Sequence, residues 1–137
     1  MASAAAAVRE GPGRVRGDEV DMAHVKTIAF TMYPVTDMER ATAFYRDALG
    51  LAPGELQSDF WREFEAGGST FGIGNFEQVG TPGTAQSLAL EVADLSALRS
   101  SLKERGFETT KPHEFPSCAI SVVSDPDGNQ VWLHQRK

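Results

Sequence analysis

Phe30-Thr-Met-Tyr-Pro-Val-Thr-Asp37 runs into Met38-Glu-Arg-Ala-Thr-Ala-Phe-Tyr-Arg-Asp-Ala-Leu-Gly-Leu51. The first part is rich in β-branched and aromatic side chains, which suit a pleated strand. Thr36 or Asp37 then offers an oxygen to cap a helix, and Thr36 with Glu39 has capping-box spacing. Met38, Ala41, Phe44, Tyr45, Ala48 and Leu49 form an apolar stripe at helical spacing. Gly50 ends the helix, since glycine accepts the left-handed conformation found there. Read backwards, the strand reaches Val25. Val25, Thr27, Ala29, Thr31, Tyr33 and Val35 fall on one face, and Ile28, Phe30 and Met32 on the other. Both faces are largely apolar, which predicts cover on both sides.

A weaker copy follows at Ser87-Leu-Ala-Leu-Glu-Val-Ala-Asp94, with a second helical stripe of Leu95, Leu98 and Leu102 and a closing Gly106. Setting Asp37 against Asp94 aligns Phe30 with Ser87 and Val35 with Val92. After the first helix, Pro53-Gly54 reads as a break and Phe60 to Glu65 as a strand. Gly67-Gly68 is a hairpin turn, and Ser69 to Phe76 a further strand. Glu77 to Ala85 is a linker. After the second helix, Lys111 to Pro116 is a loop or edge strand. Cys118 to Val123 is a strand, Asp125-Pro-Asp-Gly128 a tight turn, and Asn129 to His134 the return strand. Each unit reads strand, helix, strands. Two such α+β units bury their apolar faces by packing on each other.

The chain has 137 residues, 41% of them hydrophobic, and a formal charge of -6. That length suits one domain with a real core. The negative balance argues against a nucleic-acid partner, whose phosphates need Lys and Arg. No apolar run approaches the roughly 20 residues of a membrane helix. The single cysteine, Cys118, excludes an internal disulfide and a thiolate zinc site. It fits a reducing, cytoplasmic setting and reads as a buried structural thiol. Residues 1–24, rich in Ala, Gly, Pro and charge, read as a disordered extension without a secretory signal. No Gly-x-Gly-x-x-Gly or Walker sequence sits at a strand-to-helix turn, so no nucleotide or flavin cofactor is expected.

Thr31 to Asp37, Ala43-Phe-Tyr-Arg-Asp-Ala-Leu-Gly-Leu51, Leu88 to Asp94 and Asp125-Pro-Asp-Gly-Asn129 together resemble the vicinal oxygen chelate superfamily. That group includes glyoxalase I, extradiol dioxygenases and bleomycin-binding proteins. The resemblance covers residues 25–137. It implies two βαβββ modules forming an open, cup-shaped mixed sheet with helices outside, and a homodimer. It also implies four metal positions in the cup: a His on the first strand of each unit and a carboxylate on the last. Here those positions carry Phe30, Ser87, Gly72 and Trp132. Three of these side chains donate no lone pair to a divalent metal, and a serine is a poor ligand. The inherited metal site is therefore expected to be absent. His24 and His113 offer no recognisable ligand spacing.

Strand alternation would put Met32, Glu91 and His134 in the same cup, with Ile28, Thr70, Gly74 and Ala89. An apolar lining with two aromatics and a few polar groups suits a small-molecule site. Phe30 and Trp132 either stack on a flat ligand or plug the cup. Gly72 leaves room, and Glu91 and His134 orient. The first reading is a metal-free binding protein for an apolar or planar ligand. The alternatives are a metal-free enzyme with Glu91 as base and His134 as acid, a metal-dependent lyase, isomerase or dioxygenase, and a partner-binding module with a filled cup.

Overall fold

Two aspartates start the two helices in the same way. Asp37 accepts from the Arg40 amide and Asp94 from the Ala97 amide, both at 3.0 Å. Two glycines end the helical segments with positive φ, +80° at Gly50 and +90° at Gly106. The repeat legible in the sequence is thus a repeat of caps. The protein is described by a computed structural model over residues 24–137. Apart from His24, the expected extension lies outside the described residues.

The first unit runs β1 (Thr31–Pro34), α1 (Met38–Thr42), β2 (Ala52–Gln57), β3 (Trp61–Ala66) and β4 (Ser69–Gly74). A π-helical segment, Ala43–Ala48, continues α1, and Phe44 and Tyr45 are both buried on it. The second unit runs β5 (Leu88–Glu91), α2 (Leu95–Glu104), β6 (His113–Glu114), β7 (Cys118–Ser124) and β8 (Gln130–Arg136). Each unit makes a four-stranded sheet, ordered β1-β4-β3-β2 and β5-β8-β7-β6. The first strand of each pairs in parallel with the last, and the other pairs are antiparallel. This is the expected open, mixed-sheet α+β architecture of two βαβββ modules.

One core serves both units. Tyr33, Val35, Phe71 and Ile73 from the first sheet meet Phe44 and Tyr45, and the same cluster includes Leu88, Leu102, Val131 and Leu133 from the second unit. The Asp125-Pro-Asp-Gly128 turn fastens the units together. Tyr45 Oη donates to Asp125 at 2.7 Å, and Thr36 Oγ1 donates to Asp127 at 2.6 Å. Asn129 Nδ2 donates to the Pro34 carbonyl at 2.8 Å. Tyr33 Oη accepts from the Leu88 amide and donates to the Gln130 carbonyl, each at 2.7 Å. These bonds satisfy buried polar groups that would otherwise be costly.

Several expectations are corrected. The first strand begins at Thr31, not Val25. Among the described residues it is an edge strand pairing only with β4, from Thr31 opposite Phe71. Going backwards, its partners run out at the Gly67-Gly68 turn, so residues 25–28 have no ladder to join. Nor is it covered on both sides, since Met32 is 43% exposed. Pro53-Gly54 is not a break but lies inside β2, at the sheet edge where a missing N–H is tolerated. The capping box does not form. Thr36 turns to Asp127, and Glu39 turns to Arg62 at 2.8 Å.

Candidate functional site

The sheet faces turned away from the helices carry the candidate site. On β1, Met32 lies opposite Gly72 of β4, and Gly72 lies opposite Glu63 of β3. Trp61 lies opposite Gly74 on the same face. The Trp61 indole covers both glycines. A β-carbon at Gly72 would come within 2.3 Å of Trp61 Cζ2, and one at Gly74 within 3.0 Å of Cε3. The space at Gly72 is therefore filled by Trp61. Phe30 packs edge-on against Trp61, with ring centroids 5.1 Å apart, and Phe76 flanks it at 6.3 Å. The Trp61 indole N–H donates to Glu63 Oε2 at 2.9 Å, and Glu63 is fully buried.

The second sheet presents its own set. Trp132 of β8 lies between Ala89 of β5 and Val122 of β7. His134 lies between Glu91 and Ile120. Ser87 directly precedes β5 and is exposed. Trp132 is 42% exposed, so it does not fill its own surroundings. It borders a pocket of about 430 Å³ with Ile120, Val122, His113, Phe115 and Lys111. A second cavity, about 340 Å³, lies between the units against Leu49, Leu51, Leu88 and Leu98, and Glu91 reaches its edge.

Glu91 and His134 do meet. Glu91 Oε1 bonds His134 Nδ1 at 2.5 Å, and Oε2 accepts from the Arg136 amide at 2.7 Å. The Arg136 amide first, and His134 second, hold the Glu91 carboxyl below its ordinary range. Glu91 is exposed, so the burial that would make it a base is missing. A carboxylate of this kind orients the imidazole and leaves Nε2 to act.

Phe30 and Gly72 thus share the Trp61 surface on one sheet, while Ser87 and Trp132 share the face of the other. Trp61 and Glu63 escaped the sequence reading. Their signal was the alternation of Trp61, Glu63 and Glu65 opposite Gly74, Gly72 and Thr70, which needs the strand register to be seen. The donor set does not suit the metal of the related enzymes. Phe30, Gly72 and Trp132 offer no ligand atom. Among the described residues, no group of three or more His, Cys, Asp or Glu could hold a metal ion.

Paired βαβββ units with open sheet faces define the glyoxalase-type α+β fold. The chain belongs to the glyoxalase/bleomycin resistance protein/dioxygenase superfamily, whose family model matches residues 27–133. Among solved structures it is similar to TnmS3, an antibiotic binding protein from Streptomyces sp. CB03234. The TM-score is 0.73 at 26% identity, covering 84% of this chain and 99% of that one. A glyoxalase/bleomycin resistance protein from the same source gives 0.71 at 27% identity, covering 80% and 100%. Lactoylglutathione lyase from Agrobacterium tumefaciens shares the fold, at TM-score 0.68 and 18% identity, over 80% and 92%. No curated protein matches. Among the described residues, no helix is long and apolar enough to cross a membrane.

Proposed function

We propose that the protein binds a flat, largely apolar small molecule without a metal and without changing it. The observation carrying this reading is the chemistry of the four positions. By the family resemblance, Phe30, Gly72, Ser87 and Trp132 correspond to the positions where related enzymes hold metal, and two of the four are aromatic. Partly exposed Met32, Phe76, Phe115 and Trp132 supply apolar contact on the open faces. Aromatic pairing adds roughly 0.5–1.5 kcal/mol per good contact beyond area burial. The relative that binds an antibiotic supports the same reading.

The site is completed in a homodimer, with the Phe30–Trp61 face of one chain closing over the Trp132–His134 face of a second copy. Two half-sites on separate sheets, both partly open, support this arrangement. The test pairs two variants. Phe30→Glu and Trp132→Glu each abolish binding of an aromatic probe, 8-anilinonaphthalene-1-sulfonate. Mixing the two after subunit exchange restores part of it, because one cup in each mixed dimer is intact. Mixed dimers without any restored binding would overturn the shared cup.

A second reading rests on the Glu91–His134 pair. With Nδ1 held by Glu91, His134 Nε2 would act as a general acid or base on a substrate in the cup. Glu91 then positions the imidazole in place of the base role expected from the sequence, and His134 keeps a proton-transfer role.

A further inference from the structure

Gly72 and Gly74 occupy the interior of a strand, where glycine weakens both packing and backbone order. Neither has a positive φ, so the backbone does not require glycine there. The missing β-carbons instead make a slot, and the Trp61 indole lies in it. The indole lies against both glycine positions, and its N–H reaches a hydrogen-bond acceptor, Glu63 Oε2. Glu63 is fully buried, although it lies on the open face of the sheet. A carboxylate kept from water needs donors of good geometry, and the indole N–H is one of them.

Trp61 is half-buried, and its ring neighbours Phe30 and Phe76 lie outside the strands. Val79, which also closes on Gly74, belongs to the short Glu77–Val79 turn. Moving the indole therefore breaks ring contacts and one hydrogen bond but no rung of the sheet. The indole is the side chain that occupies the space left by the two glycines, with its N–H on Glu63.

Resting on the ligand-binding function above, we propose that Trp61 swings out on binding and the nitrogen-bearing ring of the ligand takes its place. That ring lies over Gly72 and Gly74, and an N–H or protonated ring nitrogen donates to Glu63. The preferred ligands are thus flat heteroaromatic donors, above all cations. The formal charge of -6 favours their approach.

The test uses the full chain labelled with 5-fluorotryptophan. Its two tryptophans give two fluorine resonances, assigned through Trp61→Phe and Trp132→Phe. The probes are 9-aminoacridine, a flat cation with N–H donors, and the anionic 8-anilinonaphthalene-1-sulfonate. Saturating 9-aminoacridine is expected to move the Trp61 resonance to the position of a solvent-exposed indole. Glu63→Gln is expected to weaken 9-aminoacridine about tenfold or more, as loss of a charged hydrogen bond should. The same change is not expected to weaken the anionic probe, since it removes a like charge rather than a partner. If a probe binds and shifts Trp132 while Trp61 keeps its unliganded position, the swing is overturned and the binding function stands. If neither probe binds, both proposals fall. The fluorine readout on the unsubstituted labelled chain keeps the test decisive even if Glu63→Gln fails to fold.

Discussion

Tyr45 and Asp125 lie 80 positions apart and meet in a buried hydrogen bond of 2.7 Å. The bond ties the first helical segment to the turn before the last strand. The same carboxylate accepts from Asn129 Nδ2 and from the amides of Asp127 and Asn129. Tyr45→Phe keeps the ring and removes one donor to this anion. A loss of about 1.5–3 kcal/mol in urea unfolding is expected, with the slope unchanged. A loss near zero would mean the phenol adds nothing to the joint between the units.

Alkaline behaviour follows from the same joint. Burial, followed by the Asp125 charge, pushes the Tyr45 phenol far above its ordinary 10.0. Desolvation raises Tyr33 as well. The folded state thus holds protons that the unfolded state releases above about pH 10. Stability from this source is complete below that pH and falls as pH rises further. These are the two tyrosines of the chain. Absorbance near 295 nm should therefore show less tyrosinate around pH 10 than the unfolded chain does, with Tyr45 ionising only as circular dichroism reports unfolding. A folded protein with as much tyrosinate near pH 10 as the unfolded chain would contradict the assigned burial.

Gly72→Ala tests the close approach of Trp61. The new methyl would meet the indole at 2.3 Å, so the ring has to move. Overpacking of this kind costs about 1–3 kcal/mol. Tryptophan emission should shift red in the folded variant. Unchanged stability and emission would show that the indole does not lie in the slot.

For Glu91, the carboxyl is held low in the folded state, so its contribution is present above the ordinary 4.5 and is lost as pH falls through the folded value. Glu91→Gln should make acid unfolding less steep below pH 4.5. If the protein has an activity, His134→Ala should abolish it, while Glu91→Gln reduces it and alters its pH profile. Activity that survives His134→Ala would remove the second reading.

Much of the architecture was legible because local chemistry and global fold agree. Asp37 with Gly50, and Asp94 with Gly106, bracket the helical segments as their types require. The Asp125-Pro-Asp-Gly128 turn sits where its residues demand. Thr36–Glu39 had the right spacing for a capping box, yet both side chains found partners distant in sequence. The candidate site was harder to read. Phe30, Ser87, Gly72 and Trp132 could be aligned with ligand positions, but spacing along one strand does not show which sheets face each other. Trp61 and Glu63 entered only through the register of β3 against β4. The chemistry of Glu91 also depended on exposure, and an exposed, hydrogen-bonded carboxylate is a weaker base than a buried one.

The most direct test of metal-free aromatic binding is a thermal melt of chelator-treated protein against a panel of flat aromatic compounds. At least one compound should raise Tm, by an amount that grows with its concentration. The rise should be the same with and without added Ni, Zn, Fe or Mn. No shift from any compound, or a shift that appears only when metal is supplied, would contradict the account.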